Sequence, residues 1–147
     1  MDSEQIYLRV IESAEQFGPG NPQEFKLLGS QLAKCKPKDI FSALMLVFSR
    51  SEVGANNFPK QELAGRLLDK MKLKTKFDLE ATIRSVIPAY DPSVEQLPYH
   101  FASIHGKDAV VNQLLQIEIE ETDERVLACL KTMKWWLGAR DADETNT

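Results

Sequence analysis

Histidine, cysteine and glycine are all scarce in this chain, and each scarcity narrows the chemistry open to it. There are two histidines, His100 and His105. Five residues apart on a helix, they lie about 140° from each other, so they cannot share a metal as an i, i+4 pair would. The two cysteines, Cys35 and Cys129, fall in no CxxC or CxxH spacing and read as reduced core thiols. The glycine-containing loops GPGNP and SEVGANN match neither GxxxxGK[ST] nor GxGxxG, and no GxSxG elbow occurs. The acids Glu118, Glu120, Glu121, Asp123 and Glu124 lack the DxDxDG order of a calcium loop and read as a solvated turn with helix-start acids. The expectation is therefore no catalytic residue, no cofactor and no metal. The remaining enzymatic reading sets His100 as a lone general base beside Tyr99 and Asp91; against it stands a partly exposed helical histidine of no chemical role.

Long hydrophobic runs are also missing. The longest, Asp39 to Ser49, is far shorter than the roughly 20 residues a bilayer crossing needs, so no membrane span is expected. The first residues are acidic and amphipathic, without the basic start and apolar stretch of a secretory signal, and neither end carries a lipidation motif. A cytoplasmic protein is expected.

What is present is helical patterning. Within Asp39 to Ser49, Ile40, Phe41, Leu44, Met45, Val47 and Phe48 fill one wide arc, with Ala43 and Leu46 behind it and only Ser42 and Ser49 relieving the far side. Such a segment is stable in water only when covered on most sides, which makes it the central buried helix. Around it the sequence predicts seven more. One runs from a Ser3 cap to about Phe17, one opens at Asn21-Pro22, and one starts at Pro59 and ends in a frayed, lysine-rich turn. One is capped by Thr75 or Asp78, one opens at Asp91-Pro92 and kinks at Pro98, one covers Lys107 to Glu120, and one runs from Thr122 to Gly138. The alternation in MKLKTKFDL is the pattern of a strand, for which LQIEIEE is the one available partner. Residues 1–138 thus read as a single all-α domain, and 139–147 as a disordered acidic tail.

Short connections imply antiparallel helical hairpins, and these share a pattern. An offset of 47 places Leu63 on Val110, Leu67 on Leu114, Leu79 on Val126 and Ile83 on Leu130. An offset of 39 places Leu28 on Leu67, Ile40 on Leu79, Leu44 on Ile83 and Phe48 on Ile87. On these positions the chain resembles HEAT and armadillo arrays, whose units of 40–47 residues contain two or three helices. The resemblance implies an α-solenoid that binds another macromolecule along its stacked surface. A compact, non-repetitive bundle of about eight helices is the other architecture the pattern allows.

Two features point to a partner. Although the whole chain carries a net charge of −4, residues 22–80 hold 11 bases and 7 acids while residues 81–147 hold 6 bases and 11 acids, so charge is segregated along it. Lys70, Lys72, Lys74 and Lys76 cluster, as do Lys34, Lys36 and Lys38, and both clusters are expected at helix C-termini. The second feature is Trp135-Trp136: with Val126, Leu130, Met133 and Leu137 facing the core, Trp135 falls on the far side of its helix, either covered or exposed as an anchor. The reading is a non-enzymatic protein-protein interaction module, a scaffold, adaptor or inhibitor of another protein, using Trp135 and the lysines 70, 72, 74 and 76. Nucleic-acid binding through the lysine-rich helix ends is the alternative, weakened by the lack of aromatics between those lysines.

Overall fold

Helix boundaries follow from capping chemistry. The computed structural model describes residues 1–139, among which there are eight α-helices and no strand. Helix α1 spans Ser3–Phe17 and is capped by Asp2 instead of Ser3: the Gln5 amide donates to Asp2 Oδ1 at 2.8 Å, and the Asp2 amide to Gln5 Oε1 at 2.9 Å. Helix α2, Pro22–Leu32, has the expected Asn21 cap and Pro22 start. Helix α3, Pro37–Ser49, is the central run, and α4 spans Phe58–Met71. Helix α5, Leu79–Val86, is capped by Asp78 and continues into a single 3-10 turn, Ile87–Ala89. Helices α6, Gln96–His105, and α7, Lys107–Glu120, meet at Gly106, and α8, Glu124–Trp136, is capped by Asp123 in place of Thr122.

Two expectations are corrected by local chemistry. Asp91-Pro92 does not open a helix: the Asp91 carboxylate accepts from the amide and hydroxyl of Ser93, which closes a turn, and α6 begins only at Gln96. Pro98 therefore sits in the first turn of α6, where a missing N–H costs no hydrogen bond, so it need not kink the helix. The end of α4 does not fray either. Helix α4 stops at Met71, Lys72 takes a left-handed conformation at φ 49° and ψ 49°, and residues 73–78 have no helical assignment. Leu73 is buried and Phe77 half-buried while Lys72, Lys74 and Lys76 are exposed. The alternation was thus a real signal of an extended segment, but one held by side-chain packing and not by a ladder to residues 115–121, which belong to α7 and its cap.

The helices form a compact bundle around one continuous core. Helix α3 lies at its centre, packed on α1, α4, α5 and the 3-10 turn. The odd-numbered helices contact one another in series, α1 to α3 to α5 to α7, and so do the even-numbered ones, α2 to α4 to α6 to α8. Across the two rows the pairs are α1 with α2 and α4, α3 with α4, and α7 with α6 and α8. Of the expected hairpins only α7–α8 is one of these packed pairs; α2 packs on α1 and α4, and α3 turns to α4. Leu46, on the back of α3, is half-buried, and Ser42 and Ser49 are exposed as the apolar pattern required. The acidic tail expected from residue 139 lies, beyond Ala139, outside the described residues.

Candidate functional site

The lysines expected to form one ridge face different ways. The stem of Lys70 runs over α2, so close that a Cβ on Gly29 would meet Lys70 Cε at 2.5 Å, and its ammonium stands 5.6 Å from the centre of the Phe25 ring. Arg66 covers the same ring at 4.5 Å. Lys76 is exposed outside this contact. Lys72 and Lys74, by contrast, line a cleft of about 240 Å³ between the end of α4, the extended segment and α6, together with Leu68, Asp69, Leu73, Gln96, Tyr99, His100 and Ser103. Neither lysine makes an ion pair among the described residues. The second cluster is also placed differently from expectation: Lys34 follows α2, but Lys36 and Lys38 sit at the cap and first turn of α3.

Phe77 holds the extended segment in place. Its ring stacks on Phe41 of α3 at 4.6 Å between centres and on His100 of α6 at 6.3 Å, meets Phe101 at 5.6 Å, and takes His105 edge-on at 4.6 Å. His100 is consequently only 7% exposed, not partly exposed as its helical position suggested, and its Nε2 has no hydrogen-bond partner. Burial, reinforced by the nearby Lys74 charge, lowers its pKa to about 4, so the ring is neutral near pH 7. Asp91 is not its partner: the Asp91 amide donates to Gln61 and its carboxylate is held by Ser93. The constellation of Tyr99, His100 and Asp91 is therefore not assembled in this fold.

Tyr99 has a different role. It is 45% exposed on the cleft wall, and its ring meets Trp136 edge-on at 6.4 Å. Trp136 in turn meets Trp135 edge-on at 4.9 Å and donates from Nε1 to the Pro92 carbonyl at 2.8 Å, which fixes the end of α8 on the turn before α6. Trp135 is 49% exposed. Beside it Lys134 is buried and pairs with Glu118 of α7 at 2.8 Å, so α8 is fastened from below as well. The result is a band of three aromatic rings, Trp135, Trp136 and Tyr99, running into a cleft edged by Lys72 and Lys74. Tyr99 was missed as a binding residue because its link to Trp136 spans two helices far apart in sequence. The positional hint was its place on α6 opposite the buried Leu97 and Phe101.

Among the described residues no group of three or more histidine, cysteine or acidic side chains could hold a metal ion, and no helix is long and apolar enough to cross a membrane. No family model, no curated protein and no solved structure matches the chain, so the resemblance to HEAT and armadillo arrays rests on the sequence pattern alone.

Proposed function

We propose that the chain is a non-enzymatic protein-interaction module that grips a segment of another protein along the Trp135–Trp136–Tyr99 band and the adjoining lysine-edged cleft. The observation that carries this reading is Tyr99, which joins the two features the sequence singled out separately, the tryptophan pair and the lysines at 72 and 74. Tryptophan and tyrosine give large contact area at little cost in side-chain entropy, and they dominate the energetics of many interfaces. A rigid support matters equally, since a pre-ordered surface spends less free energy on binding. Here Trp136 is hydrogen-bonded and Lys134 ion-paired. A cytoplasmic setting accords with two free cysteines.

Affinity capture with the full chain tests the reading when run beside Trp135→Ala and the double variant Lys72→Glu/Lys74→Glu. A stoichiometric protein partner retained by the parent and lost by both variants is expected. Turnover of a substrate panel that disappears on changing His100 would contradict it.

A second reading, nucleic-acid binding, gains from one observation. Tyr99, which lines the cleft with Lys72 and Lys74 and meets Trp136, brings an aromatic face next to two of the lysines, as stacking on single strands requires. A salt titration with single-stranded oligonucleotides discriminates: two phosphate contacts would give a log–log slope of roughly −1.4.

A further inference from the structure

We infer that the cleft between the end of α4, residues 72–74 and α6 is a carboxylate-binding site that takes an acidic side chain of the partner polypeptide. This rests on the reading of the adjoining aromatic band as a polypeptide-binding surface, and it names the chemistry that the band alone leaves open.

Size comes first. At about 240 Å³ the cleft falls below the roughly 300–1,000 Å³ of sites that enclose cofactors and drug-sized ligands, and it suits one side chain. Charge comes second. The ionised groups on its wall are Lys72, Lys74 and Asp69, and with His100 neutral they leave one positive charge in excess. A carboxylate balances that excess, whereas a phosphate monoester, at about −1.5 to −2 near pH 7, overshoots it. Both lysines lack an ion pair among the described residues, so an incoming carboxylate displaces no internal partner.

The third observation is His100. It is more than nine-tenths buried in the cleft wall, and Nε2, itself closed to solvent, has no partner, so a ligand in the cleft reaches it when the side chains around the ring shift. A buried polar atom left unpaired carries a cost of about 1–3 kcal/mol, and a ligand that satisfies it recovers that cost on binding. In the neutral tautomer protonated on Nε2, the imidazole is a donor suited to a carboxylate oxygen. Ser103 cannot substitute for it without losing an existing bond, because its hydroxyl already donates to the His100 carbonyl at 2.6 Å. Tyr99 then lets a chain whose acidic side chain enters the cleft continue directly onto the tryptophans.

The test is an NMR titration of the labelled full chain with N-acetylglutamic acid α-amide, which carries a single carboxylate. Its glutamine counterpart, inorganic phosphate and a pentapeptide with a central glutamate serve as comparisons. Saturable shifts of the His100 ring and the Lys74 and Ser103 amides are expected with the glutamate derivative, at least tenfold weaker with glutamine. Lys72→Gln/Lys74→Gln should weaken binding at least tenfold. His100→Phe, which keeps the stack on Phe77 and removes the donor, should weaken it several-fold. The pentapeptide should bind at least tenfold tighter than the single residue.

No saturable shift, shifts unchanged in the lysine variant, or tighter binding of phosphate would overturn the site. A pentapeptide no tighter than the single residue would make the occupant a free small acid and overturn the assignment to a polypeptide. The two levels separate cleanly. Loss of the captured partner in Trp135→Ala with a silent cleft sinks this inference alone, and a responsive cleft with capture indifferent to Trp135→Ala sinks the interaction reading.

Discussion

His100 is the residue whose environment departs furthest from what its position in the chain suggests. Buried among Phe41, Phe77 and Phe101, it is faced by Lys74 and Lys72 from the extended segment, by Asp69 from α4 and by Tyr99 and His105 on its own helix. Its folded pKa, about 4, lies below the unfolded value of roughly 6.5, so folding favours the neutral ring. The associated stability is fully present above about pH 6.5 and is lost as the pH falls towards 4, amounting to about 3 kcal/mol at the acid end. Chemical denaturation across that range should show this fall, and His100→Phe should flatten it.

Gln61 is the opposite case, a buried polar side chain with every requirement met. Its Nε2 donates to the Ser51 hydroxyl at 3.1 Å and the Ala89 carbonyl at 2.9 Å, and its Oε1 accepts from the Asp91 amide at 2.8 Å. It ties the loop after α3, the 3-10 turn and the turn before α6 to α4. Gln61→Leu leaves the Asp91 amide and the Ala89 carbonyl without that partner and should cost about 2 kcal/mol in urea denaturation. Lys72 stores strain of the other kind, a left-handed backbone on a residue with a Cβ. Lys72→Gly should raise stability by about 1 kcal/mol, which a thermal melt would register as a higher Tm.

At the scale of elements, the short segment between α4 and α5 depends on Phe77. Phe77→Ala removes a half-buried ring that meets Phe41, His100, Phe101 and His105, and should cost about 2–3 kcal/mol. Amide exchange should accelerate most in residues 73–78, while a uniform acceleration over all helices would show that the segment has no independent anchor.

The same segment shows what was legible in the sequence. All eight helices were, because a 3.6-residue apolar period and capping residues such as Asn21 and Asp78 are local signals. The segment's alternation was legible too, but its partner was not, since an extended stretch can be held by a ladder or by rings from distant helices and the pattern is the same. Helix starts were displaced where two capping residues compete, as Asp2 with Ser3 and Asp123 with Thr122. Within the site, Trp135 and the lysines were visible as composition. Their convergence was not: Tyr99 comes to both Trp136 and Lys74 only through the packing of α8 and the extended segment against α6, and Lys70 is drawn away by Phe25.

For the whole molecule, the apolarity of α3 on nearly every side has a direct structural reason. It belongs to the row of odd-numbered helices and touches α4 in the other row as well, so beyond its first turn only Ser42 and Ser49 reach solvent freely. Phe48, fully buried on α3 and tilted against Tyr90, should be among the costliest truncations: Phe48→Ala at about 3–5 kcal/mol should unfold a protein of ordinary stability at modest urea. The aromatic band and cleft lie away from this centre, on α6, α8 and the end of α4, where substitution can remove binding and leave the core intact. That separation makes the central claim, one docking surface formed by the tryptophan band and the lysine cleft together, directly measurable. Partner capture by the full chain should be compared among the parent, Trp135→Ala and Lys72→Glu/Lys74→Glu, each with an unchanged melt. The account predicts that both variants lose the same partner; retention of that partner by both, or loss of a different partner by each, would contradict it.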